Sequence, residues 1–129
     1  MSKLETPLTR KYWDTVGGTL VLEFRAVRKG PGHAQRLLDG VIILGGKTKI
    51  ATTDEVEIEG KDIIVVQTKA NRLGMYLLGQ AVFSKELMKP LKPKSIRTVA
   101  ICIKGDDVLK PIASEYGVEV VVYDSPKKP

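Results

Sequence analysis

Cysteine and histidine are almost missing from this sequence, with one of each, Cys102 and His33. A single thiol cannot close an internal disulfide, so a reducing, cytoplasmic setting is the expected one. One Cys and one His also argue against a Cys/His zinc site. Aromatic residues make up only 5% of the chain, too few to expect a surface on which successive unpaired bases stack. No apolar run approaches the roughly 18 residues that mark a membrane-spanning helix. The longest, at 73–83, is broken by Gly74, Gly79 and Gln80, and no membrane partner is expected. The opening MSKLETPLTRKYW lacks the apolar core of a secretory signal.

What remains is the composition of an ordinary folded domain. The chain has 129 residues, 43% hydrophobic and 28% charged, enough to build one core and too apolar for wholesale disorder. Residues 1–124 read as a single domain, followed by a charged, proline-rich tail at 125–129 expected to be flexible. Basic residues outnumber acidic ones by 21 to 15, a net charge of +6. That excess suits a polyanionic partner such as nucleic acid.

Hydrophobic spacing predicts the elements. Trp13, Val16, Leu20, Phe24 and Val27 recur at three- and four-residue intervals, which predicts a helix over 9–27 capped by Thr9. Gly17-Gly18 lies inside it and marks a close contact or a kink. Residues 36–44 are rich in branched apolar side chains and predict a strand. One or two short strands are expected in 49–59, then a hairpin turn at Glu59-Gly60-Lys61-Asp62 into a further strand, DIIVVQTK. A second helix is expected over 71–88, a strand over 97–103, a short helix over 106–116 and a last strand over 118–123. The order predicts an α/β fold, a mixed central β-sheet flanked by helices.

Two strands carry polar residues that a core does not want. Alternation puts Ile63, Val65, Gln67 and Lys69 on one face of their strand. By the same parity Asp39 shares a face with Leu37, Val41 and Ile43. An unpaired carboxylate there would cost several kcal/mol, so Asp39 needs a cation. Two readings remain open from spacing alone. Asp39 and Lys69 form an ion pair satisfied by Gln67, or the three residues converge on a hard divalent metal and a phosphate.

These residues carry a resemblance. The stretches GTLVLE (18–23), LDGVII (38–43) and VVQTK (65–69), the last followed by a helix, resemble the PD-(D/E)XK nuclease superfamily, which includes restriction endonucleases and Holliday junction resolvases. The likeness covers most of the chain and implies a restriction endonuclease-like core in α-β-β-β-α-β-α-β order. It implies a Mg²⁺- or Mn²⁺-dependent endonuclease acting on DNA, structured or branched forms included. Asp39 would be the principal metal ligand, with Gln67 and the Thr68 carbonyl as further ligands. Lys69 would polarise water or offset phosphate charge, and Glu23, on the first helix, would be an auxiliary ligand. Two positions depart from the family pattern. Leu38 stands where proline is usual, and Gln67 replaces the usual acid, removing one negative charge from the site.

Arg28, Lys29 and Arg36 border the loop before the Asp39 strand and are expected to contact nucleic acid, as is Arg72, one turn into the second helix. A homodimer, or a subunit of a larger assembly, is the expected form of so small a domain. Two other functions compete with the nuclease. One is a non-catalytic nucleic-acid-binding protein that keeps the nuclease fold. The other is a small protein-interaction domain with Asp39 and Lys69 as a buried pair.

Overall fold

The computed structural model describes residues 3–124; the expected tail at 125–129 lies outside the described residues. Among the described residues there are three α-helices, α1 (Glu5–Val16), α2 (Met75–Met88) and α3 (Leu109–Glu115), and six strands, four of them between α1 and α2. The strands are β1 (Thr19–Val27), β2 (Arg36–Ile43), β3 (Lys49–Ala51), β4 (Asp62–Thr68), β5 (Ser95–Cys102) and β6 (Val118–Val122). They form one mixed sheet in the order β3-β1-β2-β4-β5-β6. The α/β class and the mixed, helix-flanked sheet are those expected from the sequence.

The two faces of the sheet are covered by different helices. Leu20, Ile42, Ile64, Val66, Val99 and Ile101 pack with Tyr12, Leu8, Trp13 and Val16 of α1. On the other face, Ala100, Cys102 and Val118 pack with Leu77 and Ala81 of α2 and Ala113 of α3. Ile63 and Val65 continue that face into a cluster with Val41, Ile43 and Met88. β4 is therefore a central strand covered on both sides, which explains its unbroken apolar run. Cys102 is a buried core thiol, and burial pushes it above the usual thiol range.

The first helix does not run to residue 27. It ends at Val16, and residues 19–27 are a strand, so Glu23 lies on β1 and not on a helix. Gly17 and Gly18 both have positive φ, 72° and 82°, which breaks the helix and reverses the chain. The Gly18 carbonyl accepts a hydrogen bond from Trp13 Nε1 at 2.8 Å, fixing the reversal. The spacing of Leu20 and Phe24 imitated a helix, yet the two belong to different clusters on the two sides of the sheet. Thr9 is an interior residue of α1, not its cap; its hydroxyl donates to the Glu5 carbonyl and pairs with the Thr68 hydroxyl at 2.7 Å.

Three further expectations are corrected. The turn around Gly60 does not make a hairpin: β3 pairs parallel with β1, while β4 lies between β2 and β5. The second helix starts at Met75, so Arg72 precedes it, in a segment that bridges to Lys104. The third starts at Leu109, with the Asp106 carboxylate accepting the Val108 and Leu109 N–H groups as a helix cap does and the Asp106 carbonyl accepting the Lys110 N–H. β5 and β6 pair in parallel.

Candidate functional site

The strand directions bring the polar residues to one end of the sheet. β2 runs antiparallel to both β1 and β4, and β5 and β6 run parallel to β4. The start of β2 therefore lies beside the ends of β1, β4 and β5. Asp39, the β1–β2 loop and the segment leaving β4 all meet at that edge.

Asp39 closes the gap where two strands separate. The regular β2–β4 ladder extends from Ile43↔Ile63 to Gly40↔Val66 and stops. One residue further on, Asp39 Oδ2 accepts the Thr68 N–H at 2.9 Å, so a side chain continues the pairing where the backbones diverge. On its other side Asp39 falls between the pairs Leu22↔Gly40 and Phe24↔Leu38, opposite Glu23. Glu23 has a φ of 50°, a left-handed conformation that costs a non-glycine residue roughly 1–2 kcal/mol. The expected alternation fails at the same place. Leu38, and not Asp39, joins Val41 and Ile43 in one apolar cluster. The local distortion turns Asp39 out of that apolar row.

The carboxylate sits among like charges. Burial pushes the Asp39 carboxyl above its ordinary value, the Thr68 N–H pulls it back, and the charges of Glu5 and Glu23 push it up again. Glu5, in the first turn of α1, reaches the same strand end, its Oε2 accepting from the Ala70 N–H at 3.5 Å. Sequence reasoning missed Glu5 because it placed the start of the first helix four residues too late. The signal was present: Leu8, Tyr12 and Val16 repeat at four-residue spacing, and Glu5 opens that helix.

The raised value has a stability consequence. The folded state holds the Asp39 proton more tightly than the unfolded chain, whose ordinary value is 3.8. Ionised Asp39 therefore opposes folding, and the penalty develops as pH rises from that value through the higher folded one. In metal-free buffer, Asp39→Asn should melt no lower than wild type at pH 7, and its advantage should shrink on acidification toward pH 4. An advantage for wild type that grows with pH would mean instead that the carboxylate has a cation partner within the fold.

Gln67 faces the other way. It is only 4% exposed and its Nε2 donates to Ser84 Oγ of α2 at 2.6 Å. An amide and a hydroxyl can each donate and accept, so the pair is satisfied inside the core. Parity holds along β4: Gln67 points toward α2, and Thr68 toward α1 through Thr9. Replacing Ser84 with Ala should leave the amide unpaired and cost about 1–3 kcal/mol in urea denaturation. The double change Gln67→Leu with Ser84→Ala should recover most of that loss.

Lys69 follows directly after β4. Its backbone N–H is bonded to the Ile101 carbonyl at 2.9 Å, and its side chain is exposed. Lys69 and Asp39 form no ion pair among the described residues, so a buried Asp–Lys pair is not what this fold contains. Arg28, Lys29, Arg36 and Arg72 are all exposed. Arg28 and Lys29 belong to the β1–β2 connection, Arg36 opens β2, and Arg72 bridges to Lys104 beyond the ends of β4 and β5. Lys104 joins this basic edge and was not anticipated. The Asp39 carboxylate thus lies at an edge bordered by exposed cations.

Among the described residues, no group of three or more His, Cys, Asp or Glu side chains gathers at metal-binding spacing. No helix of the described residues is long and apolar enough to cross a membrane. Searches against protein-family models, curated proteins and solved structures match nothing.

Proposed function

We propose that this protein is a divalent-metal-dependent phosphodiesterase that cleaves DNA at the sheet edge around Asp39. The observation that carries this reading is the meeting of two carboxylates, Asp39 and Glu5, on consecutive parts of one strand end. They accept the Thr68 and Ala70 N–H groups on either side of Lys69. A partly buried acid with a second carboxylate at the same strand end offers hard oxygen donors to a cation.

The donor set fits Mg²⁺ or Mn²⁺. Both prefer hard oxygen ligands, and Mg²⁺ is commonly held by one or two carboxylates, the rest of its shell being water and substrate phosphate. Asp39 and Glu5 would hold it, with the Thr68 carbonyl as a further donor. Gln67 is left out of the set because its side chain is buried toward α2, where its Nε2 donates to Ser84, whereas Glu5 approaches from α1. Glu5 takes the auxiliary role first assigned to Glu23. When bound, the metal would supply Lewis-acid activation of water and of the scissile phosphate.

The chain's own groups do the rest. The Lys69 ammonium, flanked by the two anchored peptides, would offset charge developing on the phosphate. Arg28, Lys29, Arg36, Arg72 and Lys104 would grip the DNA backbone on either side, without reading base sequence. Thr9 and Thr68 tie α1 to β4 and so keep Glu5 in register with Asp39.

Supercoiled plasmid and branched junction DNA incubated with Mg²⁺ or Mn²⁺ test this reading. Nicked, linear or resolved products are expected, and none with EDTA. The sequestered Gln67 favours a second reading, a binder that keeps the fold without cutting. Salt-sensitive DNA binding with no product in any metal would identify that protein.

A further inference from the structure

Away from this edge, α2 and α3 enclose an open apolar groove of about 360 Å³. Its rim side chains are strongly exposed: Met75 by 78%, Phe83 by 73% and Tyr116 by 66%. Ile112 and Gly79 line it as well. An apolar face of this kind marks a protein contact more often than it marks bare surface.

Gly79 adds an independent observation. It lies inside α2, where glycine costs about 1 kcal/mol relative to alanine. A Cβ built there meets no atom of the chain within 4 Å. Packing within the chain therefore gives no reason for the missing side chain. Close approach by a backbone from outside does give one.

We propose that the α2–α3 face is a two-fold interface between two copies of this chain, with the two α2 helices crossing at Gly79. Two arguments select a second copy as the occupant. The first is area. Met75, Phe83, Ile112 and Tyr116 expose on the order of 500 Å² of side chain, given ~150–250 Å² for a whole aromatic. A standard interface buries about 800 Å² per partner, which the polar rim completes. The second is charge. The two helices carry exposed Lys110 and Glu115 on α3 and, on α2, Glu86, which is ion-paired with Lys89, with Lys85 beside the end of α3. A strongly acidic or basic partner would leave one sign unmatched, whereas a two-fold copy sets each sign against the other. The interface lies on helices and does not involve the Asp39 edge, so it stands whether or not the protein cuts DNA.

Sedimentation equilibrium of the full chain over a range of concentrations tests it. Wild type should reach twice the chain mass. Phe83→Glu and Gly79→Gln should each raise the dissociation constant at least tenfold while keeping the wild-type circular dichroism spectrum. Gly79→Cys should form a disulfide-linked dimer on mild oxidation. A chain mass that stays monomeric up to ~100 μM, above the micromolar range typical of weak specific pairs, overturns the proposal. So does a dimer that both Phe83→Glu and Gly79→Gln leave intact.

Discussion

Asp39→Asn is expected to abolish metal-dependent DNA cleavage while leaving the protein folded. The loss should exceed the ~10–100-fold that follows removal of an outer-shell partner of a metal site, since Asp39 would be a direct ligand. The same change removes no hydrogen bond from the fold. An asparagine oxygen can still accept the Thr68 N–H that the carboxylate now accepts. It also removes the charge that burial and the neighbouring acids disfavour. Activity and stability should therefore separate, with cleavage gone and the thermal midpoint equal or higher. Cleavage rate and melting curve, measured on one preparation, check both halves. Cleavage at the wild-type rate by a folded Asp39→Asn protein would remove Asp39 from the chemistry.

The second large effect concerns the fold. Gly18→Ala should destabilise by about 3 kcal/mol or more, in the class of the most damaging single changes. Gly18 has φ 82°, and a Cβ there would lie 2.3 Å from the Ile43 carbonyl oxygen. The clash is with backbone at the end of the β1–β2 pairing, where Thr19 opposes Ile43, so no side-chain rotation relieves it. Gly17→Ala makes the internal control. It has a positive φ of 72° with an extended ψ of −161° but meets nothing within 4 Å, so its cost should be the conformational one alone, about 1–3 kcal/mol, and smaller than that of Gly18→Ala. Chemical denaturation of the two variants gives the comparison. Equal losses would mean that the close approach to Ile43 does not matter.

These glycines also show what could be read from sequence. Gly17-Gly18 marks a contact or kink, while the apolar spacing around it has the period of one continuous helix. The error arises because Leu20 and Phe24 lie four apart, a helical interval, on a strand distorted at Glu23. A left-handed glutamate breaks period-two alternation, and no propensity scale signals it. The same distortion spoiled the face assignment of Asp39. By contrast, β4 was readable in full, because a strand covered on both faces must be apolar on both, and Gln67 and Thr68 obey its parity.

Asp39 was recognisable because a lone acid in an apolar strand demands an explanation. What could not be read was its partner set. Ser84 reaches Gln67 across 17 residues, and Glu5 reaches the Ala70 N–H across 65. Both contacts depend on which helix covers which face, and only the folded chain decides that. The alternative of an Asp39–Lys69 pair fails for a simpler reason. Lys69 stands just beyond the last strand residue, where its ammonium can stay in water.

The central claim is that Asp39 and Glu5 together recruit a hard divalent cation. Titration calorimetry of Mn²⁺ into the metal-free full chain measures this without requiring a substrate. The expected result is one bound ion per chain, weakened at least tenfold by Glu5→Gln and lost with Asp39→Asn, while Gln67→Leu keeps it. Wild type that takes up no Mn²⁺ at millimolar concentration, or binding that Asp39→Asn leaves unchanged, would contradict the account.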